Sequence, residues 1–221
     1  AGKETDAMLT LNNGRRIGEN APCFIIAEIG ANHNRSLTLA KEMIDAAVET
    51  CADAVKFQIY SAETLYSRKT PRHSGYGKDL FDLIKEIETP RTWLPELADY
   101  CTKKRILFFA TPFDNRAVDE LDEVSYFFKI ASFELVDLPL LRYCASKGKP
   151  MIISTGLANM EEIEDAYLAC REAGNEQIAF LQCASMYPAP ASIMNLRSME
   201  TIRRAFAVPV GLSDHTRGIH I

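Results

Sequence analysis

The 221-residue sequence has no apolar run approaching the ~20 residues that a membrane span requires. Its first residues, AGKETDAMLT, lack the apolar middle of a secretory signal. No run of five like charges occurs, and the formal net charge is −5. Recognition of a phosphate backbone needs a basic face, so neither nucleic acid nor membrane is an expected partner. The six cysteines include no CxxC pair. Most sit inside apolar patterns, which excludes a disulfide framework or a thiolate metal site and predicts reduced, buried thiols in a cytoplasmic protein. No GxGxxG follows the first apolar run, and this counts against a dinucleotide-binding fold.

What is present is an alternation of short apolar runs with helical patterns. Cys23–Gly30, Asp53–Tyr60, Arg105–Thr111, Tyr126–Ser132, Pro150–Thr155, Ile178–Ser185 and Val208–Ser213 read as strands rich in Ile, Val and Phe. Helical spacing fills Ser36–Thr50, with Ser36 as N-cap, and a second helix is read from Pro95 to Lys104. Asp137 with Pro139 opens a helix closed by Gly148, and Asn159 with Glu162 opens one closed by Gly174. Between Ser61 and Thr92 a polar, irregular stretch, SAETLYSRKTPRHSGYGKDL, is followed by a short helical pattern, and so long a connection marks a functional loop more than a linker. Seven βα repeats predict an α/β fold with a parallel sheet, best matched by a (β/α)8 TIM barrel truncated after its seventh strand. An open doubly wound sheet is the alternative.

Each apolar run finishes on reactive side chains. Glu28 closes the first, Lys56 and Gln58 the second, Thr111 and Asp114 the third. Lys129, Ser132 and Glu134 follow the fourth, Ser154 and Thr155 the fifth, Gln182, Ser185 and Tyr187 the sixth, and Ser213, Asp214 and His215 the seventh. Singly, each has a bland explanation: a lysine can snorkel, a Thr or Ser can cap the next helix, and a histidine can sit hydrogen-bonded in a core. Seven coincidences at the rim where barrels keep catalytic groups point instead to one site. Two lysines and several hydroxyls (Thr111, Ser132, Ser154, Ser213) suit a ligand bearing phosphate and carboxylate. Glu28, Gln58, Glu134 and Tyr187 suit a polyhydroxylated partner, and His215 suits a divalent metal only with help from Asp214 or Glu28.

The segments AEIGANHN (27–34), ADAVKFQ (52–58), FFATPFD (108–114), KIASFELVDLPLL (129–141), KPMIISTG (149–156), CASMYPAP (183–190), NLR (195–197) and VGLSDHT (210–216) together resemble the sialic acid synthase family. The resemblance runs from about Phe24 to the last residue, and ANHNRSL with KIASFELVDLPLL looks most like its pseudaminic acid synthases. Such enzymes condense phosphoenolpyruvate with an amino-sugar to give a nine-carbon 2-keto acid. For the pseudaminic branch the acceptor is a 2,4-diacetamido-2,4,6-trideoxy hexose; N-acetylneuraminate and legionaminic acid synthases and spore-coat relatives are the alternatives. The resemblance implies that Lys56, Thr111, Lys129, Ser132, Ser154, Ser185 and Ser213 hold phosphoenolpyruvate, and that Gln58, Glu134 and Tyr187 lie near the sugar. It implies that Glu28 stands beside the reacting carbons and that His215 is one of two histidines on a divalent ion, manganese or magnesium. Glu28, Lys56, Lys129 and His215 are thereby the expected catalytic set.

By the same resemblance, the ion polarises the aldehyde of the opened sugar, C3 of phosphoenolpyruvate attacks it, water adds at C2, and phosphate leaves by C–O cleavage. The family's eighth βα unit, its second metal histidine and its antifreeze-like C-terminal domain, which supports a homodimer in full-length members, have no counterpart in residues 1–221. His220 is a poor substitute for that histidine. This incomplete barrel is accordingly expected to retain little of the activity. Three rivals stand beside this reading. One is an aldolase with Lys129 or Lys56 as Schiff-base lysine. Another is a synthase of seven- or eight-carbon keto acids with a second phosphate held by Arg68, Lys69 and Arg72. The third is a non-catalytic binding domain.

Overall fold

The computed structural model describes residues 7–11, 13–70 and 78–221. Arg72 therefore lies outside the described residues. The chain divides into two compact units, Phe24–Phe128 and Ala1–Cys23 with Lys129–Ile221.

A hairpin that the sequence reading did not foresee pairs β1 (Met8–Thr10) antiparallel with β2 (Arg16–Gly18). In the unit Phe24–Phe128, β3 (Ile26–Gly30) leads into α1 (Leu37–Glu49), whose N-cap Ser36 accepts a hydrogen bond from the Leu39 N–H at 3.2 Å. Strand β4 (Ala54–Ile59) follows, then α2 (Ala62–Leu65), α3 (Leu80–Ile87) and α4 (Leu94–Lys104). The short helical pattern expected after the irregular stretch is α3, while α2 was not foreseen. Strand β5 (Leu107–Pro112) and α5 (Asn115–Asp122) complete the unit. Its core is aromatic: Phe57, Phe108, Phe109, Phe127 and Phe128 are all buried, with Phe109 and Phe127 rings 4.0 Å apart.

The second unit takes up the chain at β6 (Phe128–Ile130) and continues with α6 (Leu138–Ser146), β7 (Met151–Ser154) and α7 (Met160–Glu172). Then come β8 (Ile178–Cys183), α8 (Ser198–Phe206) and β9 (Val210–Ser213). The foreseen caps are present. Asp137 accepts from the Leu140 N–H, Asn159 and Glu162 form a reciprocal capping box, and Gly148 and Gly174 follow their helices at φ +70° and +88°. Arg203 of α8 reaches Glu19 after the hairpin at 3.0 Å.

Strands β3 to β9 follow one another in chain order in the parallel sheet. A doubly wound sheet reverses its strand order at a switch point, so that alternative is excluded and the order is that of a (β/α)8 barrel through its seventh strand. Period-2 alternation sets the faces: on β4, Phe57 and Ile59 point to one side while Lys56 and Gln58 point to the other.

Candidate functional site

In the unit Phe24–Phe128, strand register brings predicted site residues side by side. Glu28 lies opposite Lys56, and Gln58 opposite Thr111. The Lys56 ammonium forms an ion pair with the Glu28 carboxylate, the lysine mostly buried and the glutamate half-exposed. Gly30, at φ +56°, leaves room for that carboxylate, because a Cβ there would stand 3.0 Å from Glu28 Oε1. Thr111 is fully buried, and its hydroxyl has no hydrogen-bond partner among the described residues. A buried hydroxyl of that kind calls for a ligand or water.

Asp114 is different, and here the reading of every strand-end polar group as site is corrected. It caps α5 by accepting from the Ala117 N–H at 2.7 Å, and it takes the Arg91 guanidinium at 2.5 Å and the Thr64 hydroxyl at 3.0 Å. Burial pushes its pKa up, but Arg91 and the capped N–H outweigh this and hold the carboxyl below its ordinary value. Arg68, considered as a phosphate ligand, lies over the Phe81 ring at 4.1 Å.

In the other unit, Lys129 is buried, and its ammonium donates to the Ser154 hydroxyl and to the Ile130 carbonyl, each at 2.6 Å. The serine fixes where the positive charge sits. The Ser132 hydroxyl accepts from the Gly156 N–H at 3.1 Å. Glu134 carries one buried carboxylate oxygen without a partner; burial raises its pKa, with Lys129 pulling partly the other way.

At the end of β8 stands a residue that the sequence reading left among inert thiols. Cys183 lies 3.7 Å from His215 Nδ1 and 3.9 Å from the Ser185 hydroxyl, and it pairs in register with Ser213. Burial alone would raise its pKa, but hydrogen bonds from His215 and Ser132 bring the thiol down to about 7. Burial leaves Cys101 and Cys170 at about 12. Only the following Ser185, in the string CASM, hinted in the sequence that this cysteine ends a strand among polar groups. Cys183 also borders a cavity of about 350 Å3, lined with Thr155, Leu157, Ile163, Ile193 and Asn195 among others.

His215 Nδ1 is 3.1 Å from the Ala184 carbonyl. A carbonyl only accepts, so Nδ1 carries hydrogen and Nε2 is the basic nitrogen of the neutral ring. The Tyr187 ring packs on the imidazole at 4.2 Å between centroids, and the Ala189 N–H donates to the His215 carbonyl at 2.9 Å. Thr155 and Gln182 are structural, donating to the Leu181 and Met194 carbonyls. Asp214 closes a local turn by accepting from the Thr216 N–H and hydroxyl. Among the described residues no three His, Cys, Asp or Glu side chains are grouped to hold an ion. One imidazole does not make a divalent-metal site, so the residues present do not by themselves fit the metal implied by the resemblance. No helix among them is long and apolar enough to cross a membrane.

A profile described as the NeuB family matches residues 43–221. The spore coat polysaccharide biosynthesis protein SpsE of Bacillus subtilis is 41% identical over 207 residues, 91% of this chain and 56% of the relative. The pseudaminic acid synthase of Helicobacter pylori is 40% identical over 204 residues, 89% of this chain and 60% of the relative. The crystal structure of the N-acetylneuraminic acid synthetase from Leptospira borgpetersenii, in complex with citrate, superposes with a TM-score of 0.88 at 36% identity, covering 97% of this chain and 72% of that one. The chain thus spans 56% and 60% of the lengths of the two curated relatives. With most of its residues matched by the profile and its strand-end groups placed as described, the chain belongs to the NeuB family of sialic-acid-type synthases.

Proposed function

We propose that this chain carries the phosphoenolpyruvate-handling part of a synthase that joins the enol to an acetamido-hexose and releases phosphate. The preferred acceptor is the open-chain 2,4-diacetamido-2,4,6-trideoxy-altrose, giving pseudaminic acid. One observation carries the reading: a buried lysine, Lys129, has its charge pinned by Ser154 at the carboxyl end of neighbouring strands, in the same unit as the Ser132, Ser185 and Ser213 hydroxyls. A fixed cation among hydroxyl donors is pre-organised for an anion, so little reorganisation opposes binding. Within the unit Phe24–Phe128, Lys56 and Thr111 offer a cation and an unpartnered hydroxyl of the same chemical kind. For the sugar, the proposed groups are Gln58 in one unit and Glu134 and Tyr187 in the other.

In the reaction, C3 of the enol attacks the aldehyde carbon of the opened sugar, whose oxygen takes a proton. Water adds to the resulting cation at C2, and the C2–O bond to phosphate breaks. Glu28 is the group proposed to stabilise the C2 cation or direct the water, and a lysine ammonium the group proposed to hold the departing phosphate. No step is assigned to a metal; the divalent ion that the family resemblance implies would polarise the aldehyde, with His215 as the one ligand offered by these residues. Replacing Glu28 with Gln is expected to lower turnover by about 100-fold or more while phosphoenolpyruvate still binds. Near-normal turnover would remove Glu28 from the chemistry.

Phosphate release from phosphoenolpyruvate with manganese or magnesium, run against a panel of acetamido-hexoses, tests the whole reading. Release dependent on the altrose-configured sugar, however slow, is the expected result. Release with N-acetylmannosamine instead would reassign the acceptor. Saturable phosphoenolpyruvate binding without release for any sugar would leave a binding domain in place of an enzyme.

A further inference from the structure

Gly156 follows β7 at the point where three reactive side chains of the same unit meet. A Cβ built on it would lie closer to the Ser185 hydroxyl than real contacts allow, 2.8 Å from the Ser132 hydroxyl and 3.2 Å from the Cys183 sulfur. Its N–H donates to Ser132 Oγ at 3.1 Å. That bond occupies an acceptor site on the serine, and Ser132 also hydrogen-bonds to the Cys183 sulfur. Only a residue without a side chain therefore leaves the Ser132 and Ser185 hydroxyls room to stand together beside the Cys183 sulfur.

We propose that Gly156 is a positioning residue of the phosphoenolpyruvate site: because it has no side chain, the Ser132 and Ser185 hydroxyls can stand close together as a cup of hydroxyls for the anion. This inference rests on the function proposed above. The neighbours that an added methyl would meet are ends of rotatable side chains, not backbone. An alanine is accommodated by swinging the two hydroxyls to other rotamers, so the fold survives and the cup is lost.

Calorimetric titration with phosphoenolpyruvate tests this on four proteins: wild type, Gly156→Ala, Ser185→Gly and the double variant. Circular dichroism and the thermal midpoint of each are recorded alongside. The expected result is a native spectrum for Gly156→Ala with its Kd raised about tenfold or more. In the Ser185→Gly background the same substitution should cause a smaller loss, because the worst clash is gone. Equal affinity of wild type and Gly156→Ala, or an identical loss in both backgrounds, would overturn the proposal and leave the function proposed above standing. Failure of both alanine variants to fold would also overturn it, since rotatable neighbours could not then have absorbed the methyl. A wild-type protein that binds no phosphoenolpyruvate would instead sink the functional reading itself.

Discussion

Glu134 keeps a buried, unpartnered carboxylate oxygen beside a buried lysine, and burial holds its pKa above the ordinary value. The sign of the linkage follows. A raised folded pKa contributes stability below the unfolded value, about 4.3, and that contribution is lost as pH rises through the folded value. At neutral pH the charged carboxylate is a liability to the fold, tolerated where a ligand is to be bound. Glu134→Gln is expected to raise the thermal midpoint near pH 7, with the gain vanishing near pH 4. A midpoint difference independent of pH would show that ionisation of Glu134 is not the cause. The identity of such groups was legible from sequence because each closes an apolar run. Their division of labour was not. Asp114, Thr155 and Gln182 stand at strand ends like the others, yet their partners, Arg91 and two backbone carbonyls, come from distant segments. Cys183 was missed for the same reason, since His215 lies 32 residues away in sequence.

At the level of elements, local rules were the most readable. Ser36, Asp137 and Asn159 cap the helices foreseen for them because a cap is a contact within three residues. Asn159→Ala should lower stability by about 1 kcal/mol, measured by urea unfolding at unchanged m-value. Asp114 joins a cap to an ion pair with Arg91. Asp114→Asn keeps the cap and is expected to lower stability by about 1–3 kcal/mol at pH 7. Because its folded pKa is depressed, its contribution is present above pH of about 4 and fades as pH falls through the folded value. A deficit that persists at low pH would point to packing instead. The β1–β2 hairpin was invisible because each strand is three residues long and Leu9 is the one buried side chain in them. Strand β9 is half-buried throughout while β8 is buried at five of six positions. Amide exchange is expected to be faster in β9 than in β8; equal protection would contradict that ranking.

At the scale of the whole chain, two compact units each carry strand-end groups suited to an anion: the Glu28–Lys56 pair with Thr111 in one, Lys129–Ser154 with Ser132, Ser185, Cys183 and His215 in the other. Strand–helix alternation made the barrel order readable over nearly the whole length, since each run of Ile, Val and Phe is long enough to announce a buried strand. Choice of acceptor was not readable: the relatives include a spore coat protein, a pseudaminic acid synthase and an N-acetylneuraminic acid synthetase. What is proposed for this chain is the handling of one anion, and a titration probes it directly. Calorimetry of phosphoenolpyruvate into the 221-residue chain and into Lys129→Met should show saturable binding, displaced by inorganic phosphate, and weakened about 10- to 100-fold by the substitution. Absence of binding, or equal binding by a Lys129→Met variant with native circular dichroism, would contradict the assignment of these strand ends to phosphoenolpyruvate.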